Sequence, residues 1–170
     1  VDMEKDMTLT NFIGERFHLK VRRSIRMMRR DEWKILETMD RERVGFVAFE
    51  SRNSMQNTGD EPWNAERGMP SLWSLGMFEG TDDTIIFIPL NGSARRDEIR
   101  EYLSNASENR WWLENGFLFY RADGKFRNKI GIPPDHCGNI WGSYNTASGS
   151  LILVRYRFDA GEDHYFNSEV

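Results

Sequence analysis

The chain has 170 residues, 39% hydrophobic and 29% charged, with a net charge of −4 and a pI near 5.5. That length accommodates one domain with a substantial core, and the acidic balance excludes a general nucleic-acid binder, which needs a broad basic surface. No window approaches the roughly 18 apolar residues that a spanning helix requires, and Cys137, the single cysteine, permits no internal disulfide.

Residues 7–12 read as a short strand, with Gly14 in the turn that follows. Over residues 16–27, Phe17, Leu19, Val21, Ile25 and Met27 alternate with Arg16, His18, Lys20, Arg22, Ser24 and Arg26. Only Arg23 interrupts the apolar side. A period of two over twelve residues predicts a half-buried strand or two joined strands. Residues 31–39 change period: Asp31 as N-cap, then Trp33, Leu36 and Met39, predict a short helix lying across a sheet. Residues 44–49 are apolar on both faces, the pattern of a strand covered on both sides. Residues 54–57 continue extended, and Asn57-Thr58-Gly59-Asp60 closes them with a turn. Two further strands are expected over 72–78 and 84–90, joined by a loop at Gly80.

A second helix is expected over 93–103, with Ile99, Tyr102 and Leu103 on one side, then a polar loop over 104–109. Residues 117–132 read as a β-hairpin turning at Asp123-Gly124, where glycine supplies the positive φ a tight turn needs. Its second arm would set Lys125, Arg127 and Lys129 on one face and Phe126, Ile130 and Ile132 on the other. Alternation spaces those cations about 7 Å apart, and Arg121 joins the same face. Pro133-Pro134 ends the strand, and residues 140–145 and 151–158 form a last hairpin around Ala147-Ser148-Gly149. The total is nine or ten mostly antiparallel strands with two short helices, an all-β sandwich or barrel. No internal repeat is evident.

His18, His136 and His164 are far apart and fit no metal-ligand spacing, so no metal is expected. His136 beside Cys137 invites a nucleophile pair, but chain neighbours rarely point at each other. Glu50, Asn53 and Asn57 offer the carboxylate and amide groups that hydrogen-bond sugar hydroxyls. Asn57 and Asp60 serve the turn more simply, which leaves Glu50 as the functional candidate and the nominee for general base. Among Trp63, Trp73, Trp111, Trp112 and Trp141, Trp73 and Trp141 lie beside polar neighbours and suit a sugar-stacking platform. The basic row needs facing carboxylates, water or an anionic or polyhydroxylated ligand. Asn91-Gly92-Ser93 and Asn105-Ala106-Ser107 match the short glycosylation pattern, which chance alone explains.

Phe49-Glu50-Ser51-Arg52-Asn53, Asn57-Thr58-Gly59-Asp60-Glu61-Pro62-Trp63 and Leu72-Trp73-Ser74-Leu75-Gly76-Met77-Phe78 resemble the middle of the galactose-mutarotase-like β-supersandwich. With Asp123-Gly124-Lys125-Phe126-Arg127-Asn128-Lys129-Ile130-Gly131 and Gly142-Ser143-Tyr144, the chain resembles an uncharacterised bacterial family of that fold, found chiefly in Bacteroidetes-type bacteria. The resemblance covers residues 7–158. It implies an antiparallel β-sandwich with two short helices over residues 1–170, as one domain or a piece of a longer one, and a carbohydrate ligand held in a cleft. A periplasmic or extracellular setting is implied by the resemblance alone. Glu50, Trp73, Arg121, Lys125, Arg127 and Lys129 would face the sugar, and no cofactor is implied. Aldose epimerases place a histidine acid after the Asn-Thr-Gly-Asp-like turn. This chain has Leu75-Gly76-Met77-Phe78 there, and a thioether moves no proton. Binding is therefore expected rather than epimerisation. The competing expectation is a non-catalytic structural or interaction module whose basic strand pairs with acidic partners. Because the chain begins at Val1, it is also expected to be a processed or excised piece.

Overall fold

The twelve-residue alternation folds as the central strand of a three-stranded antiparallel sheet. In the computed structural model, which describes residues 1–40, 42–103, 110–133 and 135–156, the chain divides into two units, Val1–Leu75 and Gly76–Val170. The first holds β1 (Asp2–Thr10), β2 (Arg16–Met27) and β3 (Phe49–Asn57), in the order β1-β2-β3. Gly14 turns the chain at φ +89° between β1 and β2. The register sets Leu19 between Met7 and Asn57, and Ser24 between Asp2 and Arg52. Strict alternation then sorts the sheet. Phe17 and Leu19 are buried on one face, while the other carries Glu4, Lys20, Arg22, Ser24, Arg26, Glu50 and Arg52.

Three sequence expectations in this unit need correction. The helix expected over 31–39 is a 3₁₀ turn, Arg30–Glu32, followed by one turn of α-helix, α1 (Lys34–Glu37), with Leu36 buried. Its cap is Arg29, whose backbone N–H donates to Glu32 Oε2 at 2.7 Å. Residues 44–48 form no strand, because no neighbouring strand pairs with them. Instead Arg30 donates to the Val44 carbonyl and lays its guanidinium 4.6 Å from the Phe46 ring centroid. Residues 72–78, which cross the boundary between the units, pair with no described strand, and every residue from 71 to 80 is exposed.

The second unit contains β4 (Thr84–Pro89), a 3₁₀ turn (Arg96–Glu98), β5 (Arg100–Tyr102), β6 (Trp111–Glu114), β7 (Phe117–Arg121), β8 (Lys129–Gly131), β9 (Ile140–Asn145) and β10 (Ser150–Arg155). Five strands form one antiparallel sheet, β10-β9-β4-β7-β6, and β5 pairs with β8 in a second. Ile99, Trp111 and Leu118 are buried together, with Ile88, Leu90, Leu113, Tyr120, Ile130 and Ile132 packed around them. Residues beside the small sheet thus close over one face of the large one, giving two layers around a shared core. Burying a side chain such as Leu118 contributes about 1.5–3 kcal/mol.

The hairpin expected over 117–132 does not form. β7 pairs with β4 and β6, and β8 pairs with β5. The tight hairpin turn in this region is Asn115-Gly116, with both residues at positive φ (+50° and +78°), joining β6 to β7. That combination suits a two-residue turn whose twist matches the strands. The helix expected over 93–103 is likewise only the 3₁₀ turn followed by β5. The hairpin around Ala147-Ser148-Gly149 does form, as β9 and β10. The loop expected over 104–109, and Phe158 at the end of the last strand, lie outside the described residues.

One recurrence escaped the sequence reading. Arg29-Arg30-Asp31-Glu32 in the first unit and Arg95-Arg96-Asp97-Glu98 in the second build the same turn. In each, the first arginine pairs with the aspartate, and the glutamate accepts the first arginine's backbone N–H at 2.7 Å. The second arginine then lies over an aromatic ring, Phe46 or Trp111.

Candidate functional site

The cations expected to line one face are placed by separate elements. Arg121 ends β7, with its guanidinium 5.7 Å from the Trp112 ring centroid. Lys125 and Arg127 lie in the connection before β8, and Lys129 opens β8. Without a strand through 125–128 there is no 7 Å row. Lys125 instead pairs with Asp82 at 2.5 Å, Lys129 stands 5.3 Å from the Tyr102 ring centroid, and Arg127 is engaged as well. Phe126 is exposed on one side and lies under the Arg110 guanidinium at 4.1 Å, whereas Ile130 and Ile132 do reach the core.

The Asp123-Gly124 turn is held by a partner the sequence reading missed. Arg110 donates through both Nη atoms to the two Asp123 oxygens at 2.5 Å each, with both side chains largely buried. Asp123 also accepts the Lys125 backbone N–H at 3.0 Å. The Arg110 side chain, and then that N–H, hold the Asp123 carboxyl down at about 2. Gly80 packs directly on this turn; a Cβ there would sit 2.6 Å from the Ala122 carbonyl oxygen. The arrangement locks a turn.

The polar face of β1–β3 is built differently. Cross-strand register brings Arg26 opposite Glu50, Arg22 opposite Glu4 and Ser54, and Ser24 opposite Asp2 and Arg52. Glu50 accepts from Arg26 Nε at 2.6 Å and from Arg52 Nε at 3.2 Å. Glu4 accepts from Lys20 Nζ at 2.9 Å and Arg22 Nε at 2.6 Å. Arg26 also reaches Glu32 at 2.5 Å, and Arg22 reaches the Gln56 amide oxygen at 3.3 Å. The small side chains of Ser24 and Ser54 leave room between the long ones. A concavity of about 360 Å³ is lined by residues of both faces: Asp2, Glu4, Arg22, Ser24, Arg52 and Ser54, with Met3, Arg23 and Asn53 of the alternate positions. A second, of about 140 Å³, is lined by Ser24, Arg26, Glu50 and Arg52.

The electrostatics follow from those contacts. Arg26 first, then Arg52, hold the Glu50 carboxyl below the usual carboxylate range. Lys20, then Arg22, do the same for Glu4. Glu32, then Glu50, raise the Arg26 guanidinium further above its ordinary value. Glu50 is therefore a fixed anion that orients two guanidiniums, and the same contacts weaken it as a proton acceptor.

Trp73, in the first unit, is 84% exposed, the openness a stacking ring requires. Trp111 is buried, and its indole N–H donates to Glu101 at 2.6 Å; Trp141 packs edge-on against Phe78. Cys137 and His136 do not face each other. Cys137 Sγ meets the Tyr156 hydroxyl at 2.9 Å, while the His136 ring lies between the Asn91 carbonyl and Glu98. His18 shares a hydrogen bond with Thr8, and His164 lies outside the described residues. Among the described residues no three His, Cys, Asp or Glu side chains stand together as metal ligands, and no helix is long and apolar enough to cross a membrane.

Fold and surfaces together define an all-β protein of antiparallel sheets. The chain belongs to a family of unknown function, DUF6786, which matches it over residues 1–170. No curated protein and no solved structure matches it.

Proposed function

We propose that this chain is a carbohydrate-binding module of galactose-mutarotase-like β-supersandwich type, and that the polar face of β1–β3 is its recognition surface. The supporting observation is the Glu50 carboxylate, which fixes Arg26 and Arg52 beside Ser24 at the rim of a concavity. Sugar hydroxyls both donate and accept, so an interleaved set of guanidinium, carboxylate, hydroxyl and amide groups suits them. Trp73 offers an exposed ring for the apolar face of a sugar. Glu50 orients rather than accepts a proton, so the module binds without turnover.

The test is a glycan array probed with the whole chain and with Ser24→Trp, which fills the smaller concavity from a half-buried position in β2. Binding that Ser24→Trp abolishes at an unchanged melting temperature supports the proposal. No bound glycan, or binding indifferent to the substitution, overturns it. A second reading, a structural or interaction module, is favoured at one place. There Lys125 is paired with Asp82 and the neighbouring Arg110 with Asp123, so that stretch supports its own fold.

A further inference from the structure

The acceptors on the polar face are occupied while several donors are not. Both oxygens of Glu50 and both of Glu4 already accept a charged donor. Arg52 uses only Nε, and Arg22 and Arg26 each use Nε and Nη1. Among the described residues, no hydrogen bond reaches Arg22 Nη2, Arg26 Nη2 or either Nη of Arg52. Arg26 and Arg52 both line the smaller concavity, with Ser24 between them and Glu50 holding each by its Nε. Fixation through Nε leaves both Nη groups of Arg52 and, because Nη1 is taken by Glu32, Nη2 of Arg26 as donors that the oxygens of one anion can share.

Resting on the carbohydrate reading above, we propose that Arg26 and Arg52 form an oxyanion seat, and that the ligand is an acidic sugar carrying a carboxylate or sulfate. The seat has room for such a group, at about 140 Å³. It carries two guanidinium charges against the carboxylates of Glu50 and Glu32. Directed donors, not a positive field, therefore select the ligand. Asp2, on the adjoining larger concavity, carries an exposed carboxylate with no partner among the described residues. That carboxylate would repel a bare anion close by but accepts a hydroxyl, which favours a sugar over an inorganic ion. The acidic group occupies the Arg26–Arg52 seat, and a hydroxyl of the same or the next ring donates to Asp2.

Calorimetric titration of the whole chain with tetragalacturonate, a sulfated galactose tetramer and the neutral galactose tetramer tests this. At least one acidic tetramer should bind about tenfold or more tighter than the neutral one, the scale of one charge-assisted contact. Whichever acidic tetramer is preferred identifies the oxyanion. Arg52→Ala and, independently, Arg26→Gln should bring its affinity down to that of the neutral tetramer, with melting temperatures confirming that each variant folds. Equal affinity for neutral and acidic tetramers, with Ser24→Trp removing both, overturns the oxyanion seat and leaves the carbohydrate module standing. An acidic preference that survives both arginine variants, or a deoxythymidine decamer bound as tightly as the acidic tetramers, also overturns it. Failure of every tetramer to bind removes both readings.

Discussion

Two arginine-rich regions of this chain use the same side chains in opposite ways. In the second unit Arg110 places both Nη atoms on Asp123, and Arg96 lies 3.9 Å over Trp111, whose indole holds Glu101. On the polar face of β1–β3, Glu50 holds Arg26 and Arg52 by Nε, and Nη2 of Arg26 and both Nη groups of Arg52 remain as spare donors. The first arrangement spends its cations on the fold; the second fixes their positions and leaves hydrogen-bonding capacity over. A count of charged residues does not separate the two. What separates them is whether the nitrogens left over reach solvent: Arg110 is buried with its partner, while Arg26 and Arg52 remain exposed.

The largest effect that sharpens this contrast is expected in the core of the second unit. Trp111→Ala removes the most deeply buried ring there, releases Glu101 and deprives Arg96 of its aromatic partner, and should cost about 3–5 kcal/mol in urea unfolding. Acidification comes next. Asp123 has a folded-state value depressed from 3.8 to about 2, so its contribution is complete above about pH 4 and is lost as pH falls through about 2. Wild type should therefore show an acid-unfolding component in that window that Asp123→Asn lacks. Identical acid profiles would mean that the Arg110 pair does not hold the turn. The smallest effect belongs to Lys125→Ala. Its pair with Asp82 is exposed on both sides, and such pairs add little. An unchanged melting temperature is expected, and a clear drop would give Lys125 a larger structural role than the contrast allows.

The sequence disclosed most where one physical rule acted alone. β2 matches residues 16–27 because alternation over twelve residues has one solution when one face is buried. The polar face was legible from the same alternation, and Glu50 emerged as a candidate from its place at the end of an apolar run. Its partners did not, because Arg26 and Arg52 meet it through register and sequence proximity together. The hairpin at 117–132 misled because Asp-Gly marks a turn without naming the strand that follows. Asn115-Gly116, earlier in the chain and an equally strong signal, closes the hairpin that forms. Residues 44–49 were apolar enough for a buried strand, yet Val47 and Phe49 are exposed, and pairing begins only at Phe49 opposite Met27. Composition cannot supply a partner strand. The duplicated Arg-Arg-Asp-Glu turn was in plain view; four residues are too few to stand out until both copies fold alike.

The central claim is that the open polar face of β1–β3, and not the cationic connection after Asp123, receives the ligand. Backbone amide shifts of the whole chain, followed by NMR as an acidic sugar tetramer is added, test it most directly. The account predicts that the largest changes fall at residues 22–26 and 50–54, with 121–129 unmoved. Changes concentrated at Arg121, Lys125, Arg127 and Lys129, with the β1–β3 face silent, would contradict it.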